Sequence, residues 1–166
     1  EVTMKGTLLY SDGKTLMQID KNDNPVISIS NKRTDNSQVH PTSSGKDLGW
    51  ISIRGEIIDP KCFFGVMKPG EGKVHKDCAI RCILGGIPPV LKVRNEKGEN
   101  NYYLIAGPKG EKMNEAVKNF VAEPVEIKAR AVQQDDWIIL YTSKEKIERI
   151  SYAQLHNPDA EVIACA

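Results

Sequence analysis

Short runs of alternating apolar and polar residues dominate this chain. Residues 4–9 and 15–19 are two such runs, joined by Ser11-Asp12-Gly13-Lys14. Asp-Gly between apolar runs predicts a β-hairpin, because both residues tolerate a positive φ. Asn22-Asp23-Asn24-Pro25 predicts a second turn and residues 26–29 a third strand, so the N-terminal segment reads as a β-meander. Residues 31–47 lose all periodicity and carry Pro41, Gly45 and mixed charges, the composition of a linker or long surface loop.

The pattern resumes at Trp50. Residues 50–58 predict a strand with Gly55 as a bulge or bend, and Asp59-Pro60 ends it. A cysteine-rich insertion follows at residues 61–86. Residues 89–93 and 102–106 predict two more strands around a polar turn containing Gly98. Residues 111–120 predict a helix, with Met113, Ala116, Val117 and Phe120 at helical spacing, and Pro124 stops it. Residues 125–132 alternate cleanly, residues 133–136 turn the chain, and residues 137–141 pair back. Ile147 and Ile150 either extend the sheet or begin a short helix, and the tail beyond Asn157-Pro158 reads as loose. The order from residue 50 is strand, insertion, strand, strand, helix, strand, strand. That is the order of an OB-fold, a five-stranded Greek-key barrel with a helix between strands three and four. The expected chain is mainly β: a meander and linker over 1–47, an OB-like barrel over 48–151 with the insertion between its first two strands, and a tail over 152–166.

Composition narrows the function. Hydrophobic residues make up 40% of 166 and charged residues 27%, which excludes a disordered chain, a collagen and a coiled coil. The longest uncharged apolar run, residues 82–91, is broken by Gly85-Gly86 and Pro88-Pro89, so no membrane-spanning segment is expected. Lys and Arg number 23 against 22 Asp and Glu, which removes the usual electrostatic footprint of a nucleic-acid binder. Tyr102 and Tyr103 are strand neighbours and point to opposite faces, so they make no stacking platform together. No nucleic acid is therefore expected. Neither Gly72-Lys73 nor Gly13-Lys14 completes a phosphate loop, and no G-x-S-x-G occurs. Asp135-Asp136 belongs to a hairpin turn, and His40 and His156 fall in the linker and the tail. No base–nucleophile pair assembles, so the expected function is non-catalytic.

Candidate chemistry gathers in the insertion. Of the four cysteines, Cys62, Cys78 and Cys82 cluster, and Cys165 stands near the C-terminus. Residues 74–84 predict a helix closed by Gly85-Gly86 and Pro88. At about 100° per residue, His75, Cys78 and Cys82 share an arc of roughly 60°, and Cys62 enters from the end of the preceding strand. Two chemistries fit. One is a disulfide from Cys62 to Cys78 or Cys82, closing a loop worth ~3 kcal/mol and leaving one thiol over. The insertion would then be a braced interaction surface needing no cofactor. Phe63, Phe64, Met67, Lys68, Lys73 and Lys76 would face a protein partner such as a redox or membrane-associated complex. The other is a metal site of Cys62, His75, Cys78 and Cys82. Three thiolates and an imidazole are a tetrahedral set for zinc, and soft thiolates also suit copper.

Gly55-x3-Asp59-x2-Cys62, then His75-x2-Cys78-Ala79-x2-Cys82, then Gly85-Gly86-Ile87-Pro88, resemble a pattern of uncharacterised bacterial exported proteins and lipoproteins. The resemblance covers residues 50–150 and leaves out the N-terminal segment. It implies a small β-barrel and an extracytoplasmic (periplasmic or lipoprotein-like) location, and it assigns no ligand. A paired-thiol dicopper centre fits less well, because the position of its following histidine is Gly86.

Overall fold

The computed structural model describes residues 2–19, 24–29, 45–65 and 67–155. Outside these lie part of the expected turn at Asn22-Asp23, most of the expected linker with His40, Val66, and the tail with His156 and Cys165.

Four short strands open the chain: β1 (Val2–Met4), β2 (Gly6–Ser11), β3 (Lys14–Ile19) and β4 (Val26–Ile29). Asp12 and Gly13 take φ of 50° and 69°, so a two-residue turn joins β2 to β3 as the Asp-Gly signal predicts. The third strand does not continue a meander. β4 pairs antiparallel with β1, and β2 with β3, giving two separate ribbons.

The barrel follows: β5 (Lys46–Ile58), β6 (Val90–Arg94), β7 (Asn100–Ala106), β8 (Pro124–Gln134) and β9 (Trp137–Tyr141). Around the ring the order is β8-β5-β6-β7-β9, and β9 pairs back onto β8. Every pairing is antiparallel except β7 with β9, which is parallel. The result is a closed, mixed five-stranded barrel in the OB-like order. β10 (Ile147–Arg149) adds to β8 outside the ring, so the pattern at Ile147 extends the sheet. Among the described residues, four short helices accompany it: α1 (Pro60–Phe64), α2 (Lys76–Leu84), α3 (Asn114–Val117) and α4 (Tyr152–Leu155). No helix among the described residues is long and apolar enough to cross a membrane.

Three sequence expectations shift. The first barrel strand begins at Lys46, inside the expected linker, because residues 46–49 pair with β8. Its bulge lies between Asp47 and Gly49, where Gly49 takes φ 87°, and Gly55 sits in regular register. Gly55 is required for a different reason: a Cβ there would lie 2.4 Å from the Lys92 carbonyl oxygen. The helix expected over 111–120 contracts to α3 and a 3-10 turn at Lys118–Phe120, since Met113 offers no side-chain cap at its start.

Ile57, Leu91, Val125, Ile127 and Leu140 form the barrel core, and Ala79 and Ile83 of α2 and Val117 of α3 are buried in the same cluster. A smaller apolar cluster lies on the outer face of β6 and β7. Ile58, Phe64, Val90 and Tyr102 form it, with Phe63, Leu104 and Trp137 packed alongside. Tyr102 and Tyr103 do face opposite ways, Tyr102 into this outer cluster and Tyr103 against the main core. The β2–β3 hairpin also rests on this face. Asp12 accepts hydrogen bonds from the Tyr102 hydroxyl and, at 3.2 Å, from Asn100 Nδ2, and the Lys14 ammonium sits 5.4 Å from the centre of the Trp137 ring. The strand face that OB barrels commonly offer to oligonucleotides is thus covered by α1 and the hairpin.

The Tyr102 hydroxyl first, and Asn100 second, hold the Asp12 carboxyl below its usual value. Replacing Asp12 with Ala, which removes both bonds, is expected to cost about 1–3 kcal/mol. Amide exchange should speed up across β2 and β3 but not in β8. Unchanged hairpin exchange would show that the hairpin is held by something else.

A second latch crosses the barrel's longest pairing. Glu126 accepts from Ser52 Oγ at 2.6 Å and from Arg54 Nε at 2.7 Å, and Arg54 and Glu126 are register partners. These bonds, the Ser52 one first, hold the Glu126 carboxyl below its ordinary range. A depressed folded-state value contributes stability above the unfolded pKa, about 4.3. That contribution fades as pH falls through the folded value. Urea midpoints between neutral pH and pH 3 should therefore fall less steeply in Glu126→Gln than in the native chain. Parallel curves would remove this pair from the acid response.

Candidate metal centre

The insertion leaves the barrel through a helix that the sequence reading missed. Asp59 ends β5 and caps α1, its Oδ1 accepting from the Lys61 backbone N–H at 2.9 Å, and Pro60 occupies the first helical position. Both residues also end strands, which hid the signal, but an aspartate followed by proline is equally a helix start. One turn of α1 places Cys62 beside Asp59. Phe63 and Phe64, expected to face a partner, instead pack onto Tyr102, with ring centroids 5.8 Å and 4.9 Å away. The outer face of β6 and β7 needs an apolar cover, and this helix supplies it.

The chain then returns through a tightly held loop. Gly70 lies against α1, where a Cβ would meet the Phe63 Cα at 2.6 Å. The Gly72 N–H donates to Glu56 Oε1 at 2.6 Å, and Glu71 pairs with the Lys92 ammonium. Glu56 and Lys92 are neighbours across β5 and β6, so the loop is tied to the barrel itself. A 3-10 turn at Lys73–His75 leads into α2, which the sequence places correctly except that its first turn is 3-10. Ala79 and Ile83 bury one side of α2. Asn114 Nδ2 holds its C-terminal end, donating to the Ile83 and Ile87 carbonyls at 2.6 and 2.8 Å. Lys76 is pinned to Glu123 at 2.5 Å. Met67 and Lys73 are exposed, and Lys68 donates to the Phe63 carbonyl at 3.0 Å, so these three surround the loop.

This framework brings Cys62 Sγ within 4.0 Å of Cys78 Sγ and 3.9 Å of Cys82 Sγ. A disulfide requires about 2.05 Å. All three thiols are free, and the bridge expected from Cys62 to Cys78 or Cys82 is not formed. The observed spacing instead suits sulfurs that share an ion. Ligands at the usual zinc–sulfur distance of about 2.3 Å on a tetrahedron lie about 3.8 Å apart.

Two further donors point the same way. His75 is 3% exposed and its Nε2 has no hydrogen-bond partner among the described residues. Asp59 is fully buried, and its Oδ2 likewise has none. Orphaned buried polar atoms are costly and rare. Ligand atoms of Cys62, His75 and Cys78 lie within 4.8 Å of one another, and so do those of Asp59, Cys62 and Cys82. Three residues of the sequence-predicted set, Cys62, His75 and Cys78, thus share one triplet, and the fourth, Cys82, meets only Cys62 in the other. Asp59 is the donor that set omits.

Burial first, and the Asp59 carboxylate second, push the Cys62 thiol well above its ordinary value, and the same two causes raise Cys82. A divalent cation among these groups reverses that penalty, because it stabilises the thiolates against proton and solvent alike. The carboxylate also shapes metal preference. Sulfur and imidazole alone suit copper(I), whereas an added hard oxygen favours zinc and its divalent neighbours.

No protein-family model matches the chain, and no curated protein or solved structure matches it.

Proposed function

We propose that this chain is a metal-binding OB-like module, and that its inserted α1–loop–α2 segment holds a thiophilic divalent ion, zinc before others. The observation that supports this most is the pair of buried, unpartnered atoms, Asp59 Oδ2 and His75 Nε2, beside a Cys62 thiol that lies at tetrahedral-edge distance from each of two other free thiols, Cys78 and Cys82. Protonated Cys62 and Cys82 thiols can donate to Asp59, but no described group reaches His75 Nε2, and an ion accounts for both atoms together with the sulfurs. Metal binding would also brace the insertion, tying α1 to α2 in place of a disulfide. The three cysteines are half-buried.

Cobalt(II) tests the reading directly. Reduced, chelator-treated full-length protein titrated with cobalt(II) is expected to develop saturable near-ultraviolet thiolate charge-transfer absorption. Zinc should then displace it stoichiometrically. A titration with no saturable thiolate band would overturn the proposal.

A further inference from the structure

We propose that the centre takes two divalent ions, bridged by the Cys62 thiolate. One is held by Cys62, His75 and Cys78, and the other by Asp59, Cys62 and Cys82. This rests on the metal-binding reading above and specifies its stoichiometry and donor sets.

The donors divide into two triplets that meet only at Cys62. Cys62 Sγ is nearly equidistant from Cys78 and Cys82, one sulfur in each triplet. A thiolate carries enough lone pairs to serve two ions, and ions sharing a bridging ligand sit about 3.5–4 Å apart. Each triplet also contains one residue with a buried, unpartnered atom. A single ion in a three-sulfur, one-imidazole set satisfies His75 and leaves the Asp59 oxygen orphaned. A single ion on Asp59, Cys62 and Cys82 leaves His75 orphaned. Two ions satisfy both residues.

Charge agrees. As ligands, three thiolates and one carboxylate would bring four negative charges together around a fully buried Asp59. One divalent ion leaves two of them uncompensated, and two ions neutralise the set. Each ion would have three protein donors and one open position. That is the pattern of sites that take water or an exchangeable ligand, not of closed structural sites. The donor sets differ, with a nitrogen in one and a carboxylate oxygen in the other, so the two positions are distinguishable by spectroscopy.

The test counts ions in the reduced full-length chain carrying Cys165→Ser, which removes the remaining thiol. The protein is loaded with zinc, desalted and measured by native mass spectrometry. The expected count is two per chain, falling to one in Asp59→Asn, one in His75→Gln and none in Cys62→Ala. Asparagine at position 59 keeps the helix cap, so that variant should fold. Cadmium-113 resonances of the loaded parent chain provide a check that needs no variant: two signals of unequal shift are expected. One ion and one signal would overturn the bridged centre while leaving the metal-binding function intact. No bound ion would overturn both. Two ions retained in Asp59→Asn would overturn the donor assignment.

Discussion

Replacing Cys62 with Ala is expected to abolish stoichiometric metal binding, and to remove the stabilisation that metal gives the whole chain. Cys62 is the one donor common to both ligand triplets, and it is the only one of the three clustered thiols carried by α1. Losing Cys78 or Cys82 leaves one triplet whole, whereas losing Cys62 leaves none. An ion at a hundred times its dissociation constant stabilises the native state by about 2.7 kcal/mol. For a chain of this size that is a melting shift of about 5–11 °C. In the native sequence zinc should raise the melting temperature by that amount, and a chelator should return it. Cys62→Ala should melt at one temperature with or without zinc. A zinc-dependent shift that survives in Cys62→Ala would place the ion elsewhere.

Ile83→Ala is expected to have the largest effect of any single core substitution that also touches the site. Ile83 is fully buried in the barrel core cluster and lies on the same short helix as Cys78 and Cys82. Its carbonyl is one of the two that Asn114 fixes. Removing three carbons from such a position costs about 2–5 kcal/mol, from lost transfer energy and the cavity left behind. That is a large share of the 5–15 kcal/mol typical of a whole domain. α2 has only nine residues and cannot hold itself together alone. The same change should therefore loosen the sulfur geometry and weaken zinc binding, though less than losing Cys62. Urea unfolding should show a lower midpoint at unchanged slope. A loss below about 1 kcal/mol would mean that α2 is not anchored through this residue.

The barrel was legible because its signals are local. Alternation at residues 125–132 and 137–141, the turn between them, and Asp12-Gly13 each act over a few residues. Gly85-Gly86 ends α2 where predicted, with Gly86 at φ 111°. Long-range choices were not legible. Nothing local tells β4 to pair with β1 instead of β3, and nothing in Phe63-Phe64 announces a face of β6 and β7 that needs covering. Gly55 looked like a bulge because its true constraint, the Lys92 carbonyl, lies on another strand.

The site was half legible. Helical spacing was enough to bring His75, Cys78 and Cys82 to one side, and Cys62 arrives as expected. Spacing could not separate a bridge from an ion, because both need the same residues within a few ångströms. The sulfurs stand too far apart for a formed bridge, and the orphaned atoms beside them are what support an ion. Asp59 was hidden by its position. A carboxylate at a strand end followed by proline reads as punctuation, and its second oxygen matters only once burial is known.

Zinc-edge X-ray absorption of the loaded, reduced protein reads the donor atoms of the proposed centre directly. Sulfur scatterers at about 2.3 Å together with nitrogen or oxygen at about 2.0–2.1 Å are expected. A first shell made of nitrogen and oxygen alone would contradict that centre.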